Sequence, residues 1–341
     1  MKRSFLCILL ALLMFATSSC AQPVEYSKYQ YYFFGTFDTI ITLIGYTQSE
    51  EEFQEYAKLA ESEMYRYHQI FDQYNEYDGV ANLYIVNKKA ASAPVYAEPE
   101  LIDLLLQVQE WREKYNPATN PAMGSVLLLW HNARTAGTYI PDDTQLLQAS
   151  EHVNYEDILI DETTSTIQYS DPLLRVDLGA VAKGYAAQKV AESLRKAGLK
   201  SFILNAGGNV ICGDAPRDGR TQWTVAVEDV DGFSTRLKLG LKNQSIVTSG
   251  DYQRYYVVND QRYHHLIDPA TLYPAAHMRS VSIIHPDSGL ADFLSTAAFM
   301  LPYEESRALI DSIPQAEATW LLPDGTEYST EGFKRLMDLV K

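Results

Sequence analysis

The chain has 341 residues, 46% apolar and 12% aromatic, enough for a large core arranged as one big domain or two. Its formal net charge of -16 excludes a sequence-independent grip on nucleic acid, which needs a basic face. An anionic substrate would need local cations or a metal to overcome that field.

The first 22 residues form a block of their own: Lys2 and Arg3, the apolar run FLCILLALLMF, then the small residues ATSSC. This pattern predicts a secretory signal whose apolar run is too short to span a bilayer. Cys20 stands where such signals end in a lipid-modified cysteine, after Ser18 and Ser19, with Thr17 where these boxes usually carry leucine. We expect an exported bacterial lipoprotein, anchored through Cys20 to the extracytoplasmic or periplasmic face of a membrane; the alternative is ordinary cleavage at small residues. With Cys7 inside the signal and Cys212 alone in the body, a disulfide framework is excluded. Residues 23–341 show no repeat, low-complexity stretch or charged linker, and we expect one catalytic unit there.

After a short tether, YYFFGTFDTIITLIGY is rich in aromatic and β-branched residues and reads as a strand interrupted at Gly35. Phe53, Ala57, Ala60, Met64 and Tyr67 have helical spacing within a segment from Ser49 to about Phe71. A second helix is predicted from Pro99 to Tyr115, and NPATNPAMGS then breaks regular structure. DILIDETTSTIQYS reads as a hairpin leading to LLRVDLG, a strand ending in Val176. A helix follows from about Ala180, with an apolar stripe through Ala182, Ala186, Val190 and Leu194, and Gly198 closes it. SFILNAGGNVIC reads as strand, glycine turn, strand. Strands continue through QWTVAVED, RLKLGLKNQSIVTSG, YYVV and VSIIH, before helices near 290–301, 303–312 and after Thr330. Antiparallel-looking groups of strands with helices between and after them predict an α+β fold of mixed, largely antiparallel sheets with packed helices.

Five stretches carry candidate chemistry. In DLGAVAKGYA, the strand, the loop Asp177-Leu178-Gly179 and the helix start aim backbone N–H groups and the positive helix end at one spot, which suits an anion. Lys183 adds a cation there; an ordinary Asp177 cap with a solvated Lys183 fits the local sequence equally well. The glycines of NAGGNV allow close approach to a ligand or simply a hairpin turn. No dinucleotide fingerprint or phosphate loop is present. In ADFLSTAAFML, Asp292 and Thr296 are four apart and share one helix face, where a carboxylate and a hydroxyl are hard oxygen ligands fit for Mg²⁺. The plainer alternative has Asp292 favouring the dipole and Thr296 bonding back to a carbonyl. In YHHLIDPATLYP, His264 and His265 would face opposite sides of a strand, so one at most joins a given site, as a general base or as a structural residue. TSGDYQRYY places Thr248, Ser249 and Gly250 between strands, in a binding loop or a turn.

The order of these blocks is more specific than any one of them. FFGTFDT, ATNPAMGSVLLLWH, DLGAVAKGYA, NAGGNV, TSGDYQRYY, HLIDPATLYP and ADFLSTA, across about residues 33–301, resemble the ApbE family of FAD:protein FMN transferases. The resemblance implies a fold related to a T-fold duplication. It also implies cleavage of FAD at its pyrophosphate with Mg²⁺, transfer of FMN through a phosphoester to a threonine of an acceptor protein, and release of AMP. The acceptor implied is a membrane or secreted redox subunit.

Placed on matching positions, the resemblance puts Asp177 and Lys183 against FAD, with Lys183 aiding catalysis. The Ala180 carbonyl, Asp292 and Thr296 would hold Mg²⁺, and His265 would be the base toward the acceptor hydroxyl. Ala118, Thr119 and Asn120 match a flavin-contacting block, and Tyr74 is a further flavin contact. Phe34, Gly207, Gly208, Ser249 and Gly250 fall in blocks expected to line the nucleotide. Phe34 stands where the family usually has methionine, and Thr119-Asn120 where many members have Phe-Asp. A Mg²⁺-dependent FAD pyrophosphatase would use the same site with water in place of threonine, and a flavin-binding lipoprotein without chemistry is the alternative of another class.

Overall fold

The structure is a computed structural model that describes residues 24–340, so the signal segment, Cys7 and Cys20 lie outside the described residues. The expected α+β architecture is present. Its centre is an eight-stranded sheet in which every pairing is antiparallel. The strands, in spatial order, are β1 (Ser27–Thr36), β2 (Thr39–Thr47), β6 (Phe202–Ala206), β7 (Asn209–Cys212), β10 (Gln244–Gly250), β13 (Ser280–His285), β14 (Glu317–Leu321) and β15 (Glu327–Ser329). Three small sheets accompany it: β3 (Val95–Tyr96) with β5 (Thr166–Tyr169) and β4 (Ile158–Asp161); β8 (Trp223–Glu228) with β9 (Thr235–Leu241); and β11 (Tyr256–Val258) with β12 (Gln261–Tyr263).

Nine helices are found among the described residues. The first, α1 (Glu50–Phe71), is capped by Ser49 and buries the stripe its spacing predicts, from Phe53 to Phe71. It is followed by α2 (Leu83–Lys89), α3 (Pro99–Lys114), α4 (Gly124–Ala136) and α5 (Asp143–Ser150). Next come α6 (Ala182–Ala197), α7 (Ser288–Met300), α8 (Tyr303–Asp311) and α9 (Glu331–Asp338). Helices α1, α6 and α7 cover one face of the large sheet, and β8, β9 and Phe333 of α9 close a smaller core on the other. A third cluster runs from Met123, just before α4, and Trp130 on α4 to Tyr256 and Tyr263 on β11 and β12.

Three local expectations change. The aromatic N-terminal segment is two strands, not one strand interrupted at Gly35: Gly35 (φ +88°) lies where the register shifts, and the turn is made by Phe37 and Asp38, both at positive φ. The Phe37 carbonyl accepts from Arg254 Nη2 at 2.9 Å and its N–H donates to His68 Nδ1 at 3.3 Å, which holds a conformation that a bulky residue disfavours. LLRVDLG is not a strand, because its one ladder contact is a single bridge between Met123 and Arg175. Asn87 substitutes for a neighbouring strand, accepting from Val176 N–H at 2.8 Å and donating to the Val176 carbonyl at 2.9 Å. Thr248, Ser249 and Gly250 lie within β10, paired with Ser282, Val281 and Ser280, not between strands.

The decisive contact is between α6 and α7. All thirteen residues of α7 are buried, so it runs through the interior and needs its neighbours close. A Cβ at Gly184 would lie 2.4 Å from the Ser288 carbonyl oxygen and 2.5 Å from Asp292 Cβ. An alanine in a helix normally gains up to about 1 kcal/mol over glycine. Here Gly184→Ala should instead destabilise by about 1–3 kcal/mol through overpacking. Thermal unfolding followed by circular dichroism checks this; a melting temperature equal to or above the parent's would contradict the close approach.

Candidate functional site

A cavity of about 260 Å³ opens where β10, the start of α6, one face of α7, the loop after α1 and the loop after β12 converge. It gathers the residues singled out around each of the five stretches: Asp177, Ala180 and Lys183; Gly207; Ser249 and Gly250; His265; Asp292 and Thr296. Tyr74, Ala118, Thr119 and Asn120 also line it. Two expected residues lie elsewhere. Phe34 is 58% exposed on the outer side of its strand, and it is Phe37, at the hairpin tip, that faces the cavity. Gly208 completes the β6–β7 turn, while its neighbours Gly207 and Asn209 face inward.

The start of α6 differs from the expected cap. The capping position is Val181, which offers no side-chain acceptor, and the anion that meets this helix end from within the protein is the Asp292 carboxylate. Asp177 lies four residues earlier: one carboxylate oxygen accepts from Gly179 N–H at 2.7 Å and the other from the Gln73 amide. The Gly184 N–H donates to Asp292 Oδ2 at 2.8 Å across the α6–α7 contact. Burial raises the Asp292 pKa, opposed by the Lys183 charge, the Gly184 N–H and the Asn209 amide. The Lys183 ammonium makes no hydrogen bond or ion pair within 4 Å among the described residues, although its charge acts on Asp292, so it is available to a ligand.

On α7 the bond back to the helix carbonyl is made by Ser295, whose hydroxyl donates to the Asp292 carbonyl at 2.9 Å. Thr296 makes no such bond among the described residues and lines the cavity with Asp292. Among the described residues no group of three or more His, Cys, Asp or Glu could hold a metal. A carboxylate, a hydroxyl and a backbone carbonyl from residues lining one cavity fit a hard cation that keeps most of its sphere for water and phosphate oxygens, which is the habit of Mg²⁺.

The two histidines separate by role. His264 Nδ1 accepts from Leu266 N–H at 3.2 Å and Nε2 lies 3.0 Å from the Ala275 carbonyl, so the proton sits on Nε2 and the ring is structural. His265 lies in the cavity with Nδ1 buried and without a partner. Burial, then the charges of Arg254, His264, Lys183 and Arg134, lower its pKa to about 3. It is thus a neutral imidazole in the ligand-free cavity.

Thr119, 1% exposed, donates to the Phe293 carbonyl at 3.0 Å and ties the loop to α7. Asn120 donates to the Val153 carbonyl and accepts from Ala122 N–H. Both side chains are engaged by the protein itself. Sequence reasoning did not single out Arg134, Arg254, His131 or Phe37. The signal for α4 was present, since Leu127, Trp130, His131 and Arg134 follow the i, i+3, i+4, i+7 spacing of one helix face. Nothing local marked Arg254, which the fold brings to the β1–β2 tip.

The sequence model of the ApbE family matches residues 36–320. A curated FAD:protein FMN transferase of Treponema pallidum is 35% identical over 254 residues, 70% of this chain and 70% of the relative. One of Klebsiella pneumoniae is 29% identical over 228 residues, covering 66% and 70%. The solved ApbE protein of Thermotoga maritima superposes with a TM-score of 0.80 at 27% identity over 92% of this chain and 99% of that one. The flavin transferase ApbE of Vibrio cholerae shares the fold, with a TM-score of 0.78 at 22% identity over 92% and 100%.

Two measurements test the site's construction. Thr119→Val keeps the shape and removes the bond to α7; it should cost about 1 kcal/mol in denaturant unfolding, and an unchanged midpoint would remove Thr119 from this role. For His265, the unfolded imidazole takes up a proton near about 6.5 and the folded one only near 3. The folded state binds fewer protons between these values, so stability falls as pH falls through the interval. His265→Asn should flatten that fall, and unfolding curves at about pH 4 and 7 that move in parallel for both proteins would refute the assignment.

Proposed function

Because this chain belongs to the ApbE family and is an FAD:protein FMN transferase, we propose that its cavity splits FAD at the pyrophosphate with Mg²⁺, joins FMN by a phosphoester to an acceptor threonine, and releases AMP. The observation that carries this reading is the convergence in one cavity of Asp292, Thr296 and Ala180 with Lys183 in the first turn of α6. Asp292, Thr296 and the Ala180 carbonyl would hold the Mg²⁺, which when bound would neutralise charge on the phosphate oxygens. Lys183 and the positive end of the α6 dipole face the same phosphates and stabilise charge as it passes to the departing AMP.

His265 accepts the proton of the acceptor hydroxyl in this reading. Its low pKa belongs to the ligand-free cavity, where three of the charges that lower it are Arg254, Lys183 and Arg134. The negative phosphates of FAD would offset those charges and raise its basicity. Tyr74, at the cavity mouth, faces the flavin. The acceptor would be a membrane or secreted redox subunit, met on the same side of the membrane by a chain tethered through a lipid on Cys20. The signal-like residues 1–22 support that location.

The test is AMP release from FAD by the chain without residues 1–22, with Mg²⁺ or chelator, together with a threonine-bearing acceptor peptide whose covalent flavin is followed by fluorescence. Mg²⁺-dependent AMP with labelled peptide is expected. AMP with free FMN alone would make the chain a hydrolase toward that acceptor, and FAD binding without AMP would make it a flavin carrier. Asp292→Ala should lower turnover at least about 100-fold; full activity of that variant would show that the metal is held elsewhere.

A further inference from the structure

Leu127 and Trp130 on α4 belong to the apolar cluster behind the cavity, whereas His131, on the same face, lies against Tyr74. The two rings stack with centroids 4.5 Å apart and 24° between planes. The Tyr74 hydroxyl is 3.2 Å from His131 Nδ1, and Arg134 Nη2 reaches the same nitrogen at 3.5 Å. A guanidinium only donates, so Nδ1 is the acceptor and the phenol donates to it. The imidazole is then the neutral Nε2–H tautomer, and burial followed by the Arg134 charge holds its pKa below the usual value.

The loop beneath Tyr74 is ordered by Asp72, which accepts from the N–H groups of Tyr74 and Asn75. Its backbone is therefore fixed, but the Tyr74 side chain stands 48% exposed at the mouth, where rotamer freedom would otherwise be lost on binding. We infer that His131 is a positioning residue for this reaction: by stacking on Tyr74 and accepting its O–H, it holds the phenol ring as a preformed wall for the isoalloxazine of FAD. The inference rests on Tyr74 being the flavin contact proposed above. Its effect belongs to ground-state binding, because the ring is a wall for the flavin and not a partner of the phosphates where bonds change.

FAD affinity by fluorescence titration, with KM and kcat from AMP release, should be compared in the parent chain, His131→Ala, Tyr74→Ala and the double variant. His131→Ala should weaken FAD binding and raise KM about five- to tenfold, with kcat within about twofold. The double variant should bind no more weakly than Tyr74→Ala, because His131 acts through that ring. His131→Phe, which keeps an aromatic face without the acceptor, should recover most of the affinity. Losses that multiply in the double variant, an unchanged KM in His131→Ala, or a loss confined to kcat would overturn the inference. Failure of Tyr74→Ala to weaken FAD binding would overturn both it and the flavin assignment of Tyr74. Coupled FAD binding without AMP release would refute the proposed chemistry and leave the role of His131 standing.

Discussion

A carboxylate inside a fully buried helix is the constraint on which the site depends. Asp292 sits on α7, where every residue is buried, and removal from water makes its ionised form expensive. The protein lowers that cost with the Gly184 N–H and the nearby Lys183 charge, both from the first turn of α6. For the N–H to come that close, α6 must carry no side chain at Gly184. One missing methyl therefore couples the packing of two helices to the placement of the carboxylate, in the cavity that Lys183, Ala180 and Thr296 also line.

The cavity also reverses the local sign of a chain whose formal charge is -16. Burial, with the charges of Arg254, Lys183 and Arg134, holds His265 neutral, and burial followed by the Arg254 charge disfavours the charged form of Arg134. Without an anion these cations oppose one another; an anion between them would relieve that repulsion and strengthen every interaction in a site screened from water. The fold collects them from distant places in the chain: Arg134 from α4, Arg254 from the segment after β10 and Lys183 from α6. Arg254 also fixes the β1–β2 tip through the Phe37 carbonyl, so the mouth of the cavity is tied to its charged wall.

Much of this was legible in one dimension. The α1 stripe, the glycine turn between β6 and β7, the helix with Asp292 and Thr296 on one face, and the antiparallel grouping of strands follow from spacing and residue type. The ordered blocks led to the family, and the large antiparallel sheet with its helices agrees with that family's solved structure. Other features were hidden for definite reasons. Asn87 supplies strand-like bonds from a helix, so LLRVDLG resembled a strand without being one. Phe37 and Asp38 turn at positive φ because remote contacts hold Phe37 there, and residue preference alone does not predict it. Thr119 and Asn120 stood in a flavin-contacting block, but their side chains bond within the protein.

By itself, the sequence determined the periodic elements, the class of fold and the identity of the oxygen and nitrogen groups available to a ligand, because these depend on neighbours a few residues apart. Only the tertiary structure decided which groups meet. It placed His265 in the cavity and gave His264 to the Ala275 carbonyl, kept Phe34 outside and turned Phe37 inward, and set His131 under Tyr74. Those choices rest on contacts between positions from 11 to 217 residues apart, and on the exclusion of water that makes a charge or an unpartnered nitrogen matter.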